Sequence, residues 1–390
     1  MYLTYTPEQE AFRDELREYF AKIVTPEVAA EMADGDMGGP HCLEAVRQMG
    51  RDHWLAVSWP AEYGGRALSH VEQLIFFDEA HRAGAPVPLL TINTVGQTLL
   101  QFGTDEQKRR LLPGILAGET HFSIGYTEPG SGTDLASLQT KAVRDGDEWV
   151  INGQKIFTSL ANFATHIWLA ARTDPDAPKH KGISIFVVPT DTPGFSWQPL
   201  HTISSAETTY TFYEDVRVPA DNLIGELNGG WGLITNQLNY ERISIALPTW
   251  AQHNFEQVVE WARTTTRPDG RRVIDEEWVQ IALARCRARI EYLVLLNWKA
   301  AASGSSLEAG LASATKVFGT ELYLESTRAL MDVVGQAGYL RPGSPGAVLA
   351  GQLERAYQTH LILTFGGGTN EVQRDLIALF ALGMPRVPRH

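Results

Sequence analysis

The chain has 390 residues, 44% of them hydrophobic and 20% charged, which suits two or three modest domains around a large core and excludes a disordered protein. A formal net charge of −13 argues against nucleic acid or an anionic membrane as the main partner, although a local pocket can still take an anion. The two cysteines, Cys42 and Cys286, lie far apart in sequence; they exclude a disulfide scaffold and a cysteine-ligated zinc or iron–sulfur site, and suit a reducing compartment.

Residues 1–10 show no basic stretch followed by an apolar core, and no run reaches the ~18 apolar residues of a membrane span, so a cytoplasmic protein with no membrane attachment is expected. Thr6 is placed to cap a first helix, with Pro7 at its first position, Gln9 completing a capping box, and Ala11, Phe12, Leu16, Tyr19 and Phe20 at helical spacing. Further helices are expected over 40–50, 68–81 and 104–112, the last ending before Pro113-Gly114. Near His121 the texture changes to short β-branched and aromatic runs at 140–144, 149–158, 166–171, 183–188 and 210–218, with Asp145-Gly146 as a hairpin turn and Asn152-Gly153 as another. The connections are too short for crossover helices, so a compact antiparallel β-domain of roughly 100 residues is expected. From Gly229 onward the pattern is helical again, with helices over 231–261, 276–303, 307–334 and 349–363 forming a bundle.

The sharpest local string is Tyr126-Thr-Glu-Pro-Gly-Ser-Gly-Thr-Asp134. Its proline and glycines force a tight turn with exposed backbone N–H groups, and Thr127, Ser131 and Thr133 add hydroxyls. Such a loop can cradle a phosphate or the polar edge of a ring; an ordinary surface turn is the plainer reading. Downstream, Phe157 and Ser159 are expected on one side of a strand, an aromatic beside a hydroxyl, which suits either a flavin contact or a core position.

Taken with Asp221-Asn-Leu-Ile-Gly225, Gly229-Gly-Trp231 and Asn239-Tyr-Glu-Arg242, these strings resemble in order and spacing the acyl-CoA dehydrogenase family, over nearly the whole chain. The resemblance implies an α-helical N-terminal domain (1–120), a middle antiparallel β-domain (121–226) and a C-terminal helical bundle (227–390). It also implies FAD held between β-domain and helices, and removal of hydrogens from the α and β carbons of an acyl-CoA thioester. By position, Tyr126, Thr127, Gly132, Thr133, Phe157 and Ser159 would line the flavin, with Thr369 and Glu371 near its linker. Thr133, Arg242 and Gly367 would meet the substrate.

The pattern breaks at three places. Most of the family carries its catalytic base as a glutamate just before a Gly-Thr pair ahead of the final helix; here Gly367 stands there, in Leu363-Thr-Phe-Gly-Gly-Gly-Thr369. A minority places the glutamate before an arginine on the helix after the β-domain, and Glu241-Arg242 matches that, which makes Glu241 the expected base. A solvated Glu–Arg pair is the plainer reading. The stretches that usually serve the FAD of the neighbouring subunit are altered to Thr266-Arg-Pro-Asp-Gly270 and Asp332-Val-Val-Gly-Gln336. These breaks resemble the base-bearing subunit of actinobacterial sterol side-chain acyl-CoA dehydrogenases, which are α₂β₂ heterotetramers. The implied partners are therefore a second dehydrogenase-like subunit, an acyl-CoA substrate and an electron-transfer flavoprotein. A dehydrogenase for a non-steroid branched acyl-CoA, an oxidase-like relative, and a non-catalytic structural subunit remain open on these residues alone.

Overall fold

A computed structural model describes residues 4–204 and 208–386; residues 1–3, part of the leader reading above, lie outside them. The capping box forms as the sequence dictates: helix α1 (Pro7–Ile23) starts with Gln9 N–H donating to Thr6 Oγ1 at 3.2 Å and Thr6 N–H donating to Gln9 Oε1 at 3.1 Å. α2 (Pro26–Asp34), capped by Thr25, was not anticipated. α3 (Pro40–Arg51), α4 (His70–Ala83), α5 (Gly96–Phe102) and α6 (Asp105–Leu116) follow. Helix α6 continues a turn beyond Leu112, with Ala117 N–H donating to Pro113 O at 2.9 Å.

Eight strands form one sheet: β1 (Phe122–Gly125), β2 (Lys141–Asp145), β3 (Glu148–Ile156), β4 (His166–Arg172), β5 (Ile183–Pro189), β6 (Phe195–Leu200), β7 (Thr208–Pro219) and β8 (Leu223–Ile224). Their order is β6-β7-β3-β2-β4-β5-β8, with β1 alongside β4. The main ladders are antiparallel, whereas β1 runs parallel to β4 and β2 meets β4 by a single parallel pair. Strands β1, β6 and β8 lie outside the expected runs. β1 and β8 have only four and two residues, and β6, though it alternates Phe195-Ser-Trp-Gln198, is exposed along most of its length and carries Pro199.

Asp145-Gly146 makes the expected β2–β3 hairpin, but Asn152-Gly153 is not a turn. It lies inside β3, where the register against β7 shifts. A Cβ on Gly153 would lie 2.5 Å from Thr140 Oγ1, so glycine permits the close approach at this bulge. Trp149, Ile151, Ile167, Leu169, Phe186, Val188, Tyr213 and Val216 fill the core of this domain.

The second helical region holds α7 (Gly230–Ser244), α8 (Thr249–Thr264), α9 (Glu277–Ser303), α10 (Ala309–Val334), α11 (Gln352–Leu361) and α12 (Asn370–Leu376). The expected helix over 231–261 is two, because Pro248 supplies no N–H and the chain leaves the helix after Ser244. Leu349 and Ala350 take left-handed angles, φ 50° and 52°, so α11 starts only at Gln352. α10 packs against α8, α9, α11 and α12.

The chain divides into two compact units. One runs to Gln73, resumes over Ala83–Thr202 and ends at Glu241; the other gathers Leu74–Arg82 and everything from Arg242 onward. Among the described residues no helix is long and apolar enough to cross a membrane.

Candidate active site

In the first unit, the loop after β1 is closed by backbone bonds between Glu128 and Ser131, both 3.0 Å, which fold Pro129-Gly130 into a tight turn. A buried ion pair holds it from beneath. Lys155 on β3 is fully buried and donates to Glu128 Oε1 at 2.8 Å and to Tyr126 O at 3.0 Å. Glu128 also accepts from the backbone N–H groups of Gln139 (2.6 Å) and Thr140 (2.8 Å). Burial alone would raise this carboxyl, but the Lys155 ammonium and these donors outweigh it and hold it below the ordinary range.

Ser131 Oγ donates to Asp134 O at 2.8 Å, so that hydroxyl serves the loop itself. Thr127 is half-buried, and Thr127 O accepts from Ile156 N–H at 2.9 Å; Gly132 and Thr133 are exposed. A Cβ on Gly130 would meet nothing within 4 Å, and one on Gly132 only Thr127 Cγ2 at 4.0 Å. The protein's own packing therefore demands neither glycine, and both keep space open above the loop.

Phe157 follows β3 rather than lying on it: its φ is 59° and its side chain is 51% exposed. The expected shared strand face with Ser159 does not exist, because the strand ends at Ile156. Ser159 is half-buried and its Oγ donates to Thr208 Oγ1 at 3.2 Å. An exposed ring that large, in a left-handed conformation, is an unusual surface feature for a phenylalanine.

Tyr126 stands among the residues expected to line the flavin. Its side chain is buried; Trp168 Nε1 donates to its hydroxyl at 3.1 Å, and that hydroxyl donates to Gln237 Oε1 on α7. Burial pushes the phenol well above its usual range, Trp168 pulls it back, and the charge of Glu241 pushes it up again. Glu241 is therefore electrostatically close to Tyr126. It sits half-buried on α7, four residues after the fully buried Gln237.

In the second unit, Arg242 is only 6% exposed, which removes the plain reading of a solvated pair for this residue. Its Nε points to Gly367 O at 3.5 Å, and Gln373 Nε2 donates to the same oxygen at 3.4 Å. Gly367 and Gly368 have φ of 67° and 96°. Buried Lys316 donates to Thr364 O (3.0 Å), Gly368 O (2.9 Å) and Asn370 Oδ1 (2.6 Å). Thr369 caps α12, its Oγ1 accepting from Val372 N–H at 3.3 Å. Glu371 is exposed, and its carboxyl is held low by its own backbone N–H and the Thr369 hydroxyl. Asp332 accepts from Tyr339 Oη at 2.6 Å, and Thr266 pairs with Arg272 across a tight turn.

Three family models match in succession: the N-terminal domain of acyl-CoA dehydrogenase over residues 6–119, its middle domain over 123–216 and its C-terminal domain over 228–382. The chain belongs to the acyl-CoA dehydrogenase family. It is 55% identical to the acyl-CoA dehydrogenase FadE26 of Mycobacterium tuberculosis, over all of both chains. In structure it is similar to a chain of the ChsE4-ChsE5 complex from Mycobacterium tuberculosis, with a TM-score of 0.93, 55% identity, and 99% and 100% of the two chains covered. It is likewise similar to a chain of the Tcur3481-Tcur3483 steroid acyl-CoA dehydrogenase, with a TM-score of 0.92, 50% identity, and coverage of 99% and 100%. As an acyl-CoA dehydrogenase it is an oxidoreductase acting on CH–CH bonds, and the family's cofactor is FAD.

The first unit fits that cofactor. Its turn presents glycines with open space above them, half-buried Thr127 and exposed Thr133 offer hydroxyls, and Phe157 offers a flat apolar face. Sequence reasoning missed Glu128, Lys155, Gln237 and Lys316. Only Gln237 carried a visible signal, its spacing of one helical turn before Glu241.

Proposed function

We propose that this chain is the base-bearing subunit of a heteromeric acyl-CoA dehydrogenase whose substrate is a steroid side-chain CoA thioester. One observation supports Glu241 as base above the rest. The commoner base position is Gly367, a left-handed glycine whose carbonyl faces Arg242 and Gln373, while the Glu241 carboxylate stands on α7 beside Tyr126. Bound FAD supplies the two-electron acceptor that takes the β-hydride. The chain's own work is to remove the α-proton with Glu241 and to hydrogen-bond the thioester carbonyl as enolate character develops, a role open to the Gly367 N–H. Arg242 keeps the glycine loop in register. Thr127, Thr133, Phe157 and Ser159 hold the cofactor's ring, Tyr126 supports them from the buried side, and Thr369 and Glu371 lie toward its linker.

The steroid substrate and the second subunit rest on the two structural relatives, one a two-component complex and the other a two-component steroid dehydrogenase. The missing side chain at Gly367, the commoner base position, suits a bulky acyl group, whereas Gly368 is packed against Gln373. The altered stretches at Thr266–Gly270 and Asp332–Gln336 leave this chain poorly equipped to complete a neighbour's FAD site, which a different subunit would supply. Electrons then pass to an electron-transfer flavoprotein.

The deciding experiment is Glu241→Gln in the co-expressed complex. Turnover should fall by at least ~10²-fold with flavin content unchanged; near-normal turnover would remove Glu241 from the mechanism. Purified alone, the chain should be nearly colourless, and a stable yellow homo-oligomer would overturn the heteromer. A panel of a steroid side-chain thioester, octanoyl-CoA and butyryl-CoA should rank kcat/KM in that order. A clear preference for the short straight chains would reject the steroid assignment alone.

A further inference from the structure

Gln237 carries a feature that the reaction as described does not use. The residue is fully buried on α7, and its Nε2 makes no hydrogen bond among the described residues. A buried amide donor is ordinarily satisfied, so an orphan of this kind asks for a partner.

The neighbouring bonds fix which way the amide faces. The indole Nε1 of Trp168 can only donate, and it does so to the Tyr126 hydroxyl at 3.1 Å. With its oxygen accepting that bond, the phenol directs its own proton to Gln237 Oε1. Flipping the amide would strand the phenol proton in a buried site. The chain Trp168, Tyr126, Gln237 therefore fixes the buried –NH₂ group as a donor and selects an acceptor as its partner. Tyr126, Trp168, Gln237 and Glu241 all belong to the same compact unit.

Position supplies the rest. Residues four apart on a helix lie on one face with Cβ atoms about 5–6 Å apart, and Gln and Glu side chains have equal length. If the Glu241 carboxylate reaches the substrate's α-carbon, the Gln237 amide reaches what lies beside it. An acyl thioester offers acceptor oxygens there and no donor.

We propose that Gln237 is a substrate-contacting residue whose amide N–H donates to a carbonyl-type oxygen of the bound acyl thioester, held in that orientation by Tyr126 and Trp168. The oxygen is either that of the thioester itself or one carried by the acyl group. The inference rests on Glu241 as base for its geometry, and the test separates the two.

The test uses Gln237→Leu and Gln237→Glu in the co-expressed, flavin-loaded complex, assayed with octanoyl-CoA and with an oxygen-bearing steroid side-chain thioester. The glutamate variant keeps an acceptor for the Tyr126 hydroxyl and replaces the amide donor by a carboxyl, while the leucine variant removes the donor without adding a charge beside Glu241. If the partner is the thioester oxygen, both variants lose about 10²-fold in kcat on both substrates, the cost of removing a donor to a developing oxyanion. If it is an acyl oxygen, the loss is about 3- to 10-fold in kcat/KM and confined to the oxygen-bearing substrate. Tyr126→Phe frees the amide and should give a weaker loss with the same substrate pattern, which guards against a packing defect particular to position 237. Variants that keep flavin and complex while holding kcat and KM within twofold of the parent on both substrates would overturn the proposal. Glu241→Gln distinguishes the premises: inert Glu241→Gln with normal Gln237 variants defeats only this inference, whereas active Glu241→Gln defeats the base assignment.

Discussion

Two loops in this molecule are each pinned by a fully buried lysine, and they are pinned differently. Beneath the turn after β1, Lys155 meets a carboxylate, Glu128, as well as Tyr126 O. Beneath the glycine loop before α12, Lys316 reaches three neutral oxygens, those of Thr364, Gly368 and the Asn370 side chain. The first arrangement sets charge against charge and shapes a rigid turn from outside. The second gathers backbone carbonyls of one loop around a cation, so it fixes the loop's own path, including the left-handed Gly367 and Gly368.

The largest expected effect follows from that asymmetry. Lys155→Met leaves Glu128 buried without its cation and should cost about 3–5 kcal/mol in denaturant melts. Replacing both, as Lys155→Met with Glu128→Leu, should recover most of the loss, since the pair's mutual attraction mainly offsets its own desolvation. A double variant as unstable as the single one would break the comparison.

The pair also gives an acid signature. The folded Glu128 carboxyl lies below its ordinary value of 4.5, so as pH falls the unfolded chain takes up this proton first. The pair's stabilisation is present above pH 4.5 and is lost progressively below it. Acid unfolding of the double variant should therefore be shallower than that of the parent; equal slopes would show that Glu128 is not depressed. Burial pushes Lys155 down to about 8 against the pull of Glu128.

Lys316→Met should cost less than Lys155→Met, about 1–3 kcal/mol for the oxygens left unsatisfied, yet lower kcat because the path of Gly367 relaxes. A stability loss exceeding that of Lys155→Met would invert the ranking. Smaller again, Gly367→Ala should cost about 1–2 kcal/mol for placing a Cβ in the left-handed region. By the same strain, adding Gly367→Glu to Glu241→Gln should fail to restore turnover, and a restored rate would show that the loop repacks. Thr6→Ala, far along the chain from both loops, should cost about 1 kcal/mol in thermal melts with kcat unchanged.

The sequence is most readable where a local rule decides the outcome. The Thr6–Gln9 capping box and the Asp145-Gly146 hairpin stand where residue chemistry puts them. It is least readable where a distant partner decides. Lysine is ordinarily a surface residue, and nothing local marks Lys155, whose carboxylate lies 27 positions earlier, or Lys316, whose acceptors lie 48 to 54 positions later. Asn152-Gly153 reads as a turn until the register of β7 against β3 makes it a bulge. Pro248 is a legible break inside the expected 231–261 helix and stands at the start of α8, whereas nothing local marks the end of α7 at Ser244. At the site, the Glu241-Arg242 pair was legible as a pair. The burial of Arg242 against the glycine loop was not, because it depends on a carbonyl 125 residues away.

The two cysteines have a practical consequence. The Cys42 thiol points to Val28 O at 3.9 Å and is pushed up to about 12 by burial, with Glu31 adding to it; burial also raises Cys286. Because the thiolate is the reactive form and both thiols are buried, both should react slowly with maleimides at neutral pH. A cysteine introduced at Gly130, where a side chain meets only open space, would be the single reactive thiol on an otherwise unaltered chain. Since Gly130 borders the space left open for the cofactor, a bound flavin should slow maleimide labelling at that position, giving cofactor loading a readout without any assay of turnover.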